Sequence, residues 1–102
     1  MYKRQGFYKN DVECARFLAE IYEERQDNEQ VLFWYKKGAE AGVTILQRNL
    51  AETYHDGDYG VDQDFDKAYY WFNKAAEAGD VYSKFHVGYM IFNGEGLSLI
   101  HI

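Results

Sequence analysis

Proline is absent from this chain of 102 residues, and cysteine occurs once, at Cys14. One cysteine makes no internal disulfide, and no Cys/His cluster has the spacing of a zinc site, so neither staple of small domains is available. Cys14 itself is expected to be a small buried apolar residue. Zero prolines beside nine glycines fit helices punctuated by glycine and argue against a sheet of many tight turns. A formal charge of −6 with no Lys/Arg cluster leaves no concentrated basic face of the kind nucleic acid or anionic lipid requires. No run approaches the roughly 20 apolar residues that span a bilayer, so membrane insertion is not expected. What the chain does have is apolar and aromatic mass, 47% and 19% of its residues. That is enough for one soluble, mildly acidic folded domain.

The two ends stand apart from the rest. Leu97-Ser98-Leu99-Ile100-His101-Ile102 can be encoded by CTG TCT CTT ATA CAC ATC. The reverse complement, GAT GTG TAT AAG AGA CAG, contains in frame the codons for Tyr2-Lys3-Arg4-Gln5, with GTG as the start codon for Met1. The string resembles the transposase mosaic end used to fragment DNA for sequencing. Residues 1–5 and 97–102 are therefore expected to be adapter-derived tails, set aside before reasoning about the fold. On this reading residues 6–96 are the protein proper, an internal piece of a longer chain.

An internal repeat organises that piece. Trp34 and Trp71, Ala39 and Ala76, Gly42 and Gly79, and Gly57 and Gly94 are each separated by 37 residues. A period of this length marks a solenoid, whose units bury their apolar faces only against their neighbours. Helical spacing predicts five helices, at about 11–25, 28–41, 44–55, 65–78 and 81–92, with repeats of about 11–42 and 43–79 and a partial one of 80–96. Asp64 is a plausible N-cap and Gly79 a left-handed terminator. Cys14, Leu18 and Tyr22 are expected to occupy the inward slots of the first helix. Leu46, Leu50 and Tyr54 repeat those slots, and so do Ser83, Val87 and Ile91. Small residues, Ala19, Ala51 and Gly88 on one helix of each pair and Gly38 and Ala75 on the other, let helices approach closely. Gly38, which costs about 1 kcal/mol against Ala inside a helix, is placed at a tight crossing.

With these residues the chain resembles the Sel-1-like repeat family, relatives of the tetratricopeptide repeats with a longer glycine-rich loop. The second repeat carries the family pattern at Leu50, Tyr54, Gly57, Gly60, Val61, Asp64, Lys67, Ala68, Trp71, Lys74, Ala75, Ala76 and Gly79. It departs with Leu46 for an alanine, Ala51 for a glycine and one extra residue between Gly57 and Gly60. The first repeat keeps Leu18, Tyr22, Trp34, Lys37, Ala39 and Gly42 but lacks the glycine loop. The resemblance implies an all-α, right-handed α/α solenoid of antiparallel hairpins that binds protein or peptide and has no chemistry or cofactor of its own. It also leaves two alternatives. One is a regulatory or substrate-recruiting arm of a larger enzyme or signalling protein. The other is a β-lactam-interacting hydrolase-like repeat protein, although the relatives of that kind are stapled by paired cysteines and only Cys14 exists here.

The residues offer little catalytic chemistry. The acidic loop from Asp56 to Asp64 fails as a calcium loop, because Gly60, Val61 and Lys67 stand where a ligand, a glycine and a glutamate are needed. His55 and His86 lie on different helices without a carboxylate or cysteine at recognised ligand spacing, so no metal site is assigned. No nucleophile elbow, P-loop or dinucleotide fingerprint is present. The candidate binding surface is geometric. Two residues either side of Leu18, Leu50 and Val87 point about 160–200° away from the core slot, which selects Arg16 and Glu20, Arg48 and Glu52, and Phe85 and Tyr89. This row is a candidate groove with Phe85 and Tyr89 as anchors; the alternative is that Arg16/Glu20 and Arg48/Glu52 are ordinary i,i+4 ion pairs and that Phe85 and Tyr89 pack on a neighbour that the truncation removes. Because the last helix would normally bury an apolar face against a partner helix that this piece lacks, it is expected to expose Val87, Ile91 and neighbouring aromatics and to self-associate or fray there.

Overall fold

In the computed structural model residues 9–95 are described, with side chains from Cys14 onward; the expected tails at 1–5 and 97–102 lie outside the described residues. The described chain is five helices: α1 (Lys9–Arg25), α2 (Asn28–Glu40), α3 (Thr44–Asp56), α4 (Phe65–Glu77) and α5 (Val81–Asn93). They fall within a residue or two of the ranges the hydrophobic spacing predicts. Each helix packs chiefly on its neighbours in sequence, so the molecule is elongated, with extents of 47 × 27 × 20 Å.

Aspartates start three of the helices. Asp27, Asp64 and Asp80 accept from the backbone N–H groups of Gln30, Lys67 and Ser83 at 3.3, 3.1 and 2.9 Å, satisfying donors that the first turn leaves free. Asp64 thus takes its expected place. Gly57 ends α3 with φ of +74°, its N–H bonded to Thr53 O at 2.8 Å. A side chain is disfavoured there twice over, by the left-handed backbone and by Gln63 N, which a β-carbon would meet at 3.2 Å. The loop beyond folds back, with Asp64 N donating to Tyr54 O at 2.8 Å. Tyr59 meets the Tyr35 ring edge-on at 5.8 Å, fastening the loop to the preceding hairpin.

The core runs through the middle of the stack. Leu46, Leu50, Ala51, Phe72, Ala68 and Val31 are at most 1% exposed. Gly38 is buried against Leu46, whose Cγ and Cβ would lie 3.1 and 3.2 Å from a β-carbon at that position. The tight crossing expected there is present.

At the two outer helices the expected slots are corrected. Cys14 is exposed and Leu18 and Tyr22 are half-buried, while Ala15 and Ala19 are 0% and 1% exposed. On α5, Ser83 and Met90 are fully buried, Val87 is half-buried and Ile91 is 49% exposed. Val87 therefore packs on the core, contrary to its expected exposure. The reason is common to both ends. An inner helix such as α3 is clasped on two sides, by α2 and α4, whereas α1 and α5 each have one principal neighbour. Their buried faces turn toward that neighbour: by about one residue, or 100°, on α1, while on α5 Ser83 keeps its expected slot and Met90 takes the place of Ile91. Gly88 likewise makes no close contact: a β-carbon there would meet nothing within 4 Å.

Candidate functional site

The six row residues occupy three settings. On α1, Arg16 Nε lies 3.9 Å from Glu20 Oε2, with side chains 59% and 62% exposed; a pair this wet and long contributes little. On α3, the expected Arg48–Glu52 pair is replaced. Arg48 Nη1 reaches across to Asp80 Oδ1 at 3.4 Å, and its guanidinium lies 4.9 Å from the centroid of the Tyr82 ring. Asp80 is the better partner because it is already fixed, accepting from Ser83 N at 2.9 Å and Ser83 Oγ at 2.6 Å. A cation–π contact adds to the pairing on the side facing α5. Glu52 instead lies near Tyr82, where its carboxylate raises the phenol's pKa above its ordinary value. On α5, Phe85 and Tyr89 are 72% and 51% exposed.

The fold therefore joins Arg48 and Glu52 to the start of α5 and leaves Arg16 and Glu20 as a separate pair on α1.

Two constellations escaped the sequence reading. His55 Nδ1 is 3.1 Å from Asp56 Oδ1, and its Nε2 is 3.1 Å from Glu95 Oε1, beyond the end of α5. Burial opposes charging this ring, but the two carboxylates outweigh it and raise its pKa. His86 lies face to face on Phe72 at 4.5 Å, and burial lowers its pKa. The two imidazoles are 6.3 Å apart between centroids, and among the described residues no three potential ligands converge on a metal position. No signal in sequence pairs His55 with a glutamate 40 residues away.

The second constellation is a repeated outer stripe. Phe33 meets Trp34 edge-on at 5.0 Å with Lys37 Nζ 5.8 Å above the Phe33 ring. Tyr70, Trp71 and Lys74 repeat this at 5.0 and 5.7 Å. Phe33 and Tyr70 are about half exposed. The same 37-residue interval that aligned the tryptophans would have found them.

Comparison with known proteins fits this geometry. A family model described as Sel1 repeat matches residues 12–43, 45–80 and 81–98. The crystal structure of a Sel1 repeat protein from Oxalobacter formigenes superposes with a TM-score of 0.79 at 27% sequence identity, over 84% of this chain and 67% of that one. No curated protein matches the chain.

Proposed function

The chain belongs to the Sel1 repeat family, and on that premise we propose that it is a non-catalytic scaffold that holds protein or peptide partners along Arg16, Glu20, Arg48, Glu52, Phe85 and Tyr89. Sel1 repeat proteins are generally protein-interaction modules. The observation that carries the reading is the presence on α5 of two exposed aromatics, Phe85 and Tyr89, with an arginine held at the start of the same helix by Asp80 and Tyr82. Aromatic and arginine side chains on a rigid support are what concentrate binding energy at interfaces. The two ends of the row differ in chemistry. Arg16 and Glu20 offer exposed charges that set register and on-rate, and the α5 end offers apolar area.

Selection from a displayed random-peptide library tests this. The wild-type chain is expected to enrich peptides that Phe85→Ala/Tyr89→Ala no longer captures, with unchanged circular dichroism and melting. Equal enrichment by both chains overturns the reading.

A further inference from the structure

Two polar links join α3 to α5, one at each end of α5. At the start, Arg48 Nη1 meets Asp80 Oδ1 at 3.4 Å. Past the end, His55 Nε2 meets Glu95 Oε1 at 3.1 Å. The helix between them has 13 residues, so the links are about 20 Å apart at 1.5 Å per residue. They differ in what a proton does to them. A guanidinium keeps its charge throughout the range in which proteins are folded, whereas an imidazole changes charge within it.

His55 sits where the end of α3, the loop after it, α4 and the end of α5 converge. Its carbonyl accepts from Gln63 Nε2 at 2.8 Å, and the Phe65 ring of α4 lies tilted against its own at 5.1 Å. Its Nδ1 faces Asp56 Oδ1 at 3.1 Å. The side chains of His55 and Glu95 are each 20% exposed. The backbone behind Glu95 is fixed by the way α5 closes. Gly94 is left-handed with φ of +76°, its N–H donates to Ile91 O at 3.1 Å, and Glu95 N–H donates to Met90 O at 2.9 Å. These are the paired bonds of a Schellman turn, and Met90 is fully buried beneath them.

Carboxylates at both ring nitrogens decide the protonation state. Making both bonds takes an N–H at each nitrogen, which only the imidazolium has. A neutral ring keeps one. With that proton on Nδ1, a lone pair is turned on Glu95 and the link is lost. With it on Nε2, the link survives but gives up the charge assistance that makes such bonds roughly twice as strong. Either tautomer weakens the hold on Glu95. The surrounding groups leave this balance intact. Burial opposes charging His55, and Asp56 and Glu95 outweigh it, so its pKa is raised. His86 of α5 lies 6.3 Å away between ring centroids, and burial lowers its pKa. It is therefore neutral where His55 already carries its proton. Behind it, Glu52 and Arg48 act on His86 in opposite senses.

We propose that His55 and Glu95 form a proton-dependent clasp between the ends of α3 and α5. With imidazolium at His55, the turn that closes α5 is drawn onto α3. Loss of that proton loosens the turn, while Arg48 and Asp80 hold the start of α5 in either state. Because the folded pKa is the raised one, the clasp is fully formed below the ordinary value of about 6.5 and opens as pH rises through the folded value. The device is local to the last turn, since the buried Met90 keeps the body of α5 on the core. It needs no partner, so it stands or falls separately from the scaffold reading.

Two NMR measurements on the full chain test it. Hydrogen exchange at the Glu95 amide, corrected for the intrinsic rate, is expected to report an opening that grows with pH through the His55 titration, by up to about tenfold per pH unit for one linked proton. The Lys84 amide, which donates to Asp80 O at 3.1 Å, is expected to show no such rise. Proton–nitrogen correlation of the imidazoles reads the titration itself and is expected to place the His55 midpoint above about 6.5. Glu95→Gln keeps an acceptor of the same size without its charge. It is expected to lower the His55 midpoint and to flatten the exchange profile at position 95, with circular dichroism unchanged. A His55 midpoint at or below about 6.5, an opening at Glu95 that ignores pH, or the same profile in Glu95→Gln overturns the proposal. So does an equal rise at Lys84, which would mean that the whole of α5 loosens and no clasp exists at its end.

Discussion

Gly38 and Leu46 meet so closely that a β-carbon on Gly38 would collide with Cδ1 of Leu46 and crowd its Cγ and Cβ at 3.1 and 3.2 Å. This contact sets the separation of α2 and α3, and hence of the first two hairpins. Leu46 is 1% exposed, so it has no free space into which to rotate. Gly38→Ala gains about 1 kcal/mol of helix propensity and loses more to overpacking, which typically costs about 1–3 kcal/mol. The expected result is a net loss on the order of 1 kcal/mol in urea melts. A more stable variant would show that the crossing yields readily.

The three aspartate caps are unequal. Asp27 makes one bond to the helix start at 3.3 Å, whereas Asp80 accepts from Ser83 N and Oγ and also holds Arg48. Asp27→Ala is expected to cost less than the typical cap value of about 1 kcal/mol, and Asp80→Ala up to about 2 kcal/mol. Parallel denaturant melts of the two variants decide it, and equal losses would mean that the Arg48 link contributes nothing.

His55 and His86 give opposite responses to pH. With carboxylates at both ring nitrogens, His55 donates twice only as imidazolium, and the folded state raises its pKa. Its contribution is therefore complete below the ordinary value of about 6.5 and is lost as pH rises through the elevated folded value. Burial lowers the His86 pKa, so its contribution is present above that ordinary value and is lost as pH falls through the depressed folded one. His55→Gln is expected to leave a protein that only loses stability on acidification, and His86→Phe one that only loses it on alkalinisation. Melting temperatures across neutral pH test this; identical profiles for wild type and His55→Gln would contradict it.

The short link between α1 and α2 holds Gln26 at φ of +60°, a conformation that costs a side-chain-bearing residue roughly 1–2 kcal/mol. Gln26 is exposed, so removing its side chain forfeits little packing. Gln26→Gly relieves the strain at the cost of about 0.5–1 kcal/mol in chain entropy. A gain of roughly 0.5–1 kcal/mol is expected in the same melts, and a loss would mean the side chain is needed.

The 37-residue interval, the glycine stops and the aspartate starts were legible in the linear chain, because helix capping and apolar spacing are local, and so determine where each helix begins and ends. Gly38 could be placed at a crossing by the same logic, since a glycine inside a helix calls for a reason. The inward slots of α3, Leu46, Leu50 and Tyr54, followed too, since that helix is clasped from both sides. Three features were decided only in three dimensions. The first is which side of α1 and α5 is buried, because that depends on how many neighbours each helix has. The second is the choice of Asp80 over Glu52 by Arg48, because a preorganised partner across the fold outcompetes a flexible one four residues along. The third is the bridging of His55 to Glu95, because a hydrogen bond between residues distant in sequence leaves no periodic trace and exists only once α3 and the end of α5 have been brought together.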